Sequence, residues 1–187
     1  MCSSFYLYVS RETYTRQVQH MDRHEKYMKL AIKEAIKALE KDEVPIGCVI
    51  VKDDRVIARG HNLRESRQSA SAHAEMIAIE KACKKIGSWR LEDCDLYVTL
   101  EPCPMCSGAI LQSRIKNVYY GAYDPKGGCL HSCMNLYEVK GFNHYPNAHA
   151  GILEEECAQM LRDFFKNKRS IKKAERKGIA EIKKNNV

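Results

Sequence analysis

Two short stretches of this 187-residue chain hold side chains suited to metal chemistry: His73-Ala74-Glu75 and Pro102-Cys103-Pro104-Met105-Cys106. Tetrahedral zinc favours imidazole nitrogen and thiolate sulfur, and a catalytic zinc keeps three protein ligands with the fourth position open. His73, Cys103 and Cys106 supply that count. Cysteines three apart in the first turn of a helix bring both sulfurs to one end, where the helix dipole favours thiolate. Residues two apart on a helix point about 200° away from each other, so His73 and Glu75 can share a site only at a helix end, and not easily as two ligands. Zn²⁺ with two thiolates and one neutral imidazole has no formal net charge and acidifies its water less than an all-histidine site does. A carboxylate base is therefore useful beside it. Glu75 can take a proton from the attacking water, pass it to the ring nitrogen beside the attacked carbon, and later protonate the departing amine. The pattern predicts one Zn²⁺ per subunit on His73, Cys103 and Cys106, with Glu75 carrying protons in a hydrolytic deamination.

Either motif alone is weak, since a lone C-x-x-C is more often structural zinc or chance. A structural site would want a fourth ligand, and the spare thiols best placed to supply it are Cys129 and Cys133. Both read as loop thiols without a metal role, whereas Cys48, Cys83 and Cys157 sit on apolar faces and read as core. From another functional class, a zinc-stabilised RNA-binding protein without catalysis would use Glu75 only to orient a ligand.

The elements that must hold these motifs follow from periodicity. Met28, Ile32, Ala35, Ile36 and Leu39 form a helical stripe between His24 and Glu43. Cys48–Val51 and Val56–Ala58 flank Lys52-Asp53-Asp54-Arg55 and read as a hairpin. His73–Ile86 is a second helix capped by Gly87, Asp95–Leu100 a strand, Cys103–Arg114 a helix opening on Pro104, and Asn117–Gly121 a strand. A short helix around Met134–Tyr137 and a long C-terminal helix from about Glu154 complete the reading. This order gives an α/β fold: one central sheet with crossover helices packed on it.

Composition narrows the class. The length suits one domain, placed at 23–187. No apolar run approaches a membrane span, and the N-terminus lacks the basic start and cleavage site of a signal peptide. Nine cysteines, an odd number without framework spacing, argue for a reducing cytoplasm. The net charge of +7 is localised: residues 1–161 hold 21 basic and 21 acidic residues, and residues 162–187 hold 10 basic and 3 acidic. Such a tail suits phosphate contacts, although a charge run is more often a solvated face.

The motifs resemble those of the cytidine deaminase-like superfamily, whose H-x-E and P-C-x-x-C signature belongs to zinc deaminases of nucleobases. Within it the chain is most similar to the bacterial tRNA-specific adenosine deaminases. That resemblance runs through Glu43–Gly47, Gly60–Asn62, Ala72–Glu75, Ser88–Leu91, Leu96–Cys103, Gly121–Gly128, Phe142–His144 and Asp163–Phe165, and spans about Glu25 to Lys173. It implies a three-layer α/β/α fold with a five-stranded mixed sheet, and a homodimer that converts adenosine to inosine at the wobble position of a tRNA anticodon stem-loop. It also implies substrate contacts at Asn62, Asp124, Lys126 and Asn143. Read on their own, Asn62 and Asp124-Pro125 are ordinary turn residues. Specific RNA recognition of splayed loop bases fits an anticodon.

The chain departs from the family pattern at Ala70-Ser71, at Cys129-Leu130-His131, and at Tyr145, where an arginine is usual. Residues 1–22 fall outside the resemblance. They are expected to be a disordered extension, or to be left out by a start at Met21. The competing enzymatic reading is a deaminase of free guanine or of a cytosine nucleotide, against which stand Asp124–Gly128 and the basic tail.

Overall fold

The computed structural model describes residues 22–185, with side chains as far as Arg176; the expectations about residues 1–21 lie outside the described residues. Helix α1 (Arg23–Leu39) buries Met28, Ala31, Ile32 and Ala35. It ends four residues before the stripe suggests. Asp42 turns to φ 61°, the Glu43 amide donates back to the Ala38 carbonyl at 3.1 Å, and the Glu43 side chain is buried against another loop.

Strands β1 (Gly47–Lys52) and β2 (Arg55–His61) form the expected hairpin. Asp53 and Asp54 at its tip both take positive φ, 48° and 55°, a conformation acids tolerate better than most residues. A single turn, α2 (Arg64–Arg67), leads to α3 (Ala74–Ile86), which Gly87 closes at φ 75°. Strand β3 (Asp95–Leu100), helix α4 (Pro104–Gln112) and strand β4 (Asn117–Ala122) follow. A 3₁₀ turn at Leu136–Glu138 stands where a short helix is expected. Strand β5 (Asn147–His149) and helix α5 (Glu154–Asn185) end the described chain.

The sheet order is β2-β1-β3-β4-β5, antiparallel on the β1 side and parallel from β3 onward. This is the five-stranded mixed sheet that the resemblance implies. Residue patterning alone yields four strands, because β5 is only three residues long and buries no side chain fully.

The central strands are covered on both faces. Cys48, Ile50, Leu96, Val98 and Val118 pack under α3 and α4, while Val49, Val51, Tyr97 and Tyr119 pack under α1 and α5. Alternation within each strand thus feeds two cores, so β1 and β3 read as continuous apolar runs. Gly47 allows the closest approach: a Cβ there would lie 2.0 Å from the Ala31 carbonyl oxygen of α1. Among the described residues no helix is long and apolar enough to cross a membrane.

Candidate active site

Both chemical motifs begin helices. His73 caps α3 in extended conformation, and its carbonyl takes the Ile77 amide at 3.1 Å. Cys103 caps α4, its carbonyl takes the Ser107 amide at 2.8 Å, and Pro104 fills the first turn, where no amide hydrogen is needed. Two helix N-termini therefore converge on one point.

There the ligand atoms of His73, Cys103 and Cys106 all lie within 4.8 Å of one another. His73 Nδ1 is 3.7 Å from Cys103 Sγ and 3.6 Å from Cys106 Sγ. Ligands 2.3 Å (sulfur) and 2.0–2.1 Å (nitrogen) from a tetrahedral zinc are separated by about 3.6 Å. The donor set and its spacing fit that ion.

The charges agree. Cys103, taking hydrogen bonds from Cys106 and His73, is held as a thiolate with its pKa pulled to about 4. Cys106, the donor to Cys103 and itself buried, keeps its proton, and its pKa is raised. His73 is raised by its bond to Cys103. Metal binding displaces such protons.

Glu75, at the second position of α3, is 4% exposed. Its pKa is raised, first by burial and then by the Cys103 thiolate, and it hydrogen-bonds Cys106. A buried carboxyl group with a raised pKa beside the candidate metal donors can both accept and release a proton. Cys129 is fully buried rather than an open loop thiol, Cys133 is exposed, and neither joins the ligand cluster. Cys48 and Cys157 are core as expected, while Cys83 is only half-buried.

Asn62 is buried at the start of the loop that leads to His73. Its amide nitrogen donates to Glu43 Oε2 at 3.2 Å, its backbone amide to the Ile46 carbonyl at 3.0 Å, and the Leu63 amide reaches Ala72 just before His73. Asp124 and Lys126 line a cleft of about 980 Å³ together with Ile46, Phe165, Arg162 and Arg169. Asp124 also does what its turn chemistry predicts, accepting the Lys126 amide at 3.0 Å. Asn143 is exposed and is not part of that cleft wall. The cleft wall does not include His73, Cys103 or Cys106; Ile46, which lines it, accepts the Asn62 backbone amide.

Sequence reasoning missed three things. Phe165 with Arg162, Lys166 and Arg169 gives the cleft an apolar surface with a cationic rim, contributed by α5; the basic count of the tail was the available signal. Two buried glutamates organise the loops beside the site. Glu43 accepts from Asn62, from the Glu65 amide at 3.2 Å, and from the Ser66 amide and hydroxyl at 2.6 and 2.7 Å. Glu101 does the same for the loop after β4. A buried acid without a cation leaves no mark in composition. At the departures, Tyr145 Oη donates to the Val139 carbonyl at 3.0 Å and accepts the Phe142 amide at 3.1 Å, and the His131 ring bonds Tyr120 Oη.

The profile of the MafB19-like deaminase family matches residues 22–169. The chain is similar to the tRNA-specific adenosine deaminase of Bacillus subtilis strain 168, 56% identical over 161 residues, covering 86% of this chain and 100% of the relative. The tRNA-specific adenosine deaminase of Aquifex aeolicus is 43% identical over 146 residues, covering 78% of this chain and 96% of the relative. Among solved structures, one from a study of A-to-I editing by tRNA:A34 deaminases at the wobble position of transfer RNA matches with TM-score 0.71 and 47% identity, covering 73% of this chain and 99% of that one. A guanine deaminase from Bacillus subtilis matches with TM-score 0.52 and 35% identity, covering 65% and 87%.

Proposed function

Because the chain belongs to the family of tRNA-specific adenosine deaminases, we propose that it hydrolyses adenosine to inosine at the wobble position of a tRNA anticodon. The observation that carries this reading is the meeting of His73, Cys103 and Cys106 within 4.8 Å beside a buried Glu75. His73 Nδ1 and the two Sγ atoms would hold one zinc per subunit, and zinc, when bound, supplies hydroxide character to water at neutral pH. Glu75 takes one proton of the attacking water on its carboxylate and delivers it to the ring nitrogen next to the amino-bearing carbon. It then takes the second proton from the hydroxyl added at that carbon and gives it to the amine as the C–N bond breaks and the carbonyl forms. The balance is water plus adenosine to inosine plus ammonia.

The RNA is taken as a splayed loop. The Phe165 ring offers a stacking surface, Arg162, Lys166 and Arg169 face phosphates, and Asn62, Asp124, Lys126 and Asn143 are the proposed contacts to the target nucleoside and the anticodon loop. The proposed partner is the anticodon stem-loop, the proposed assembly a homodimer of twice the 21.5 kDa chain mass, and the proposed location the cytoplasm. The guanine deaminase similarity, at lower identity and coverage, favours a second reading on small purines less.

One experiment separates them. The zinc-loaded protein is incubated separately with bacterial tRNA, guanine and cytidine. Inosine at position 34 of the tRNA is expected from sequencing; ammonia released from guanine or cytidine, with the tRNA unchanged, overturns the proposal.

A further inference from the structure

The loop after β4 folds back over the strand end that leads into the cysteine motif, and one side chain holds it there. Glu101 is 2% exposed. Its Oε1 accepts the amides of Leu130, His131 and Ser132 at 3.0, 2.7 and 2.9 Å, and its Oε2 accepts the Asp124 amide at 3.1 Å and the Ser132 hydroxyl. Two backbone bonds close the wrap: the Glu101 amide to the Ala122 carbonyl at 2.8 Å, and the Cys129 amide to the Pro102 carbonyl at 2.9 Å. All five partners of the carboxylate are neutral donors, so the loop forms an anion nest around it. Gly128 completes the fit, since a Cβ there would lie 2.3 Å from the Glu101 carboxyl carbon.

The placement has a consequence for RNA. Glu101 stands two residues before Cys103, and the loop it gathers carries Asp124 and Lys126 on the wall of the 980 Å³ cleft. One side chain thus sets the position of that wall relative to the metal donors. We propose that Glu101 is a positioning residue for RNA binding: it touches neither metal nor substrate, but holds the 123–132 loop where the cleft can seat part of an anticodon loop while the target base extends beyond the cleft to the metal site. This rests on the reading of the chain as a tRNA adenosine deaminase.

The test is steady-state kinetics on an anticodon stem-loop, with zinc content measured on each preparation. Glu101→Gln places an amide group against amide donors and is expected to raise KM about tenfold, the loss of a charge-assisted bond, while kcat stays within about threefold and zinc stays at one per chain. Glu101→Asp keeps the charge and should fall between. Gly128→Ala disturbs the same nest with Glu101 intact and should raise KM likewise; it keeps the proposal testable should Glu101→Gln not fold. KM at the wild-type value in the folded variants, a fall in kcat alone, or activity lost in step with zinc would each overturn it. The wild type in the same assay separates the two levels. An inactive wild type ends the functional reading and this inference with it, whereas an active wild type with unmoved KM in the variants ends only the inference.

Discussion

At Glu75 burial and function are opposed: an acid this deep is disfavoured as an anion, and burial and the Cys103 thiolate raise its pKa while the His73 ring lowers it. A structural acid is fixed as an anion by the donors gathered around it, as Glu43 and Glu101 are; one that must gain and lose a proton in each turnover is better left near balance. Glu75→Gln keeps the volume and removes the proton carrier. Turnover is expected to fall by about 10²–10⁴-fold, with zinc stoichiometry and RNA affinity unchanged, measured by single-turnover inosine formation, metal analysis and filter binding. Retained turnover would return Glu75 to a merely orienting role. The residues of this centre are legible in the sequence because zinc chemistry restricts donor type, count and spacing. Glu43 and Glu101 are not, since nothing in a sequence distinguishes an acid that collects backbone amides from one that faces water.

Among the elements, the two loops beside the site are each tied to a single buried glutamate, and Glu43 makes the pH dependence of one of them predictable. Burial raises its pKa, but the Ser66 amide and hydroxyl and the Glu65 amide outweigh that, leaving it below the ordinary value near 4.5. A carboxylate with a depressed folded pKa adds stability that is present in full above the unfolded pKa and is lost as pH falls through the folded one. Glu43→Gln should therefore destabilise the fold by about 2–3 kcal/mol at pH 7, and the gap from wild type should close progressively below about pH 4.5. Urea melts at pH 7, 5 and 3.5 would show it; a gap independent of pH would mean that the charge of Glu43 contributes nothing. Element identity followed from periodicity for α1, α3, β1 and β3 because their apolar positions are fixed by the core. Where the hydrogen bonds of a buried side chain decide the ending, as at Glu43 after α1, or where a strand is as short as Asn147–His149, periodicity had nothing to register.

For the molecule as a whole, the +7 excess lies from Arg162 onward, past the acidic first turn of α5, and length decides what that charge can reach. Arg162, Lys166 and Arg169 line the cleft. The helix continues from Arg169 to Asn185, sixteen residues further or about 24 Å at 1.5 Å per residue, which is about three Debye lengths at physiological salt. Of the four cations that the sequence places beyond Lys173, Arg176 and Lys177 stand about 10–12 Å past Arg169 along the helix axis, between one and two Debye lengths. Lys183 and Lys184 stand about 21–22 Å past it, so these last two positions are the ones well screened from the cleft and suited to phosphates elsewhere in the RNA. A chain ending at Lys173 loses these four cations along with Glu175 and Glu181. Removing a single lysine–phosphate pair should flatten the dependence of log affinity on log salt by about 0.7–0.9, so the truncated protein should bind intact tRNA more weakly, with a slope smaller by about 1–3, while kcat and its KM for a minimal anticodon loop stay at wild type. If intact tRNA shows the same slope with and without the distal residues, the basic tail is a solvated helix face, and the cleft alone accounts for binding.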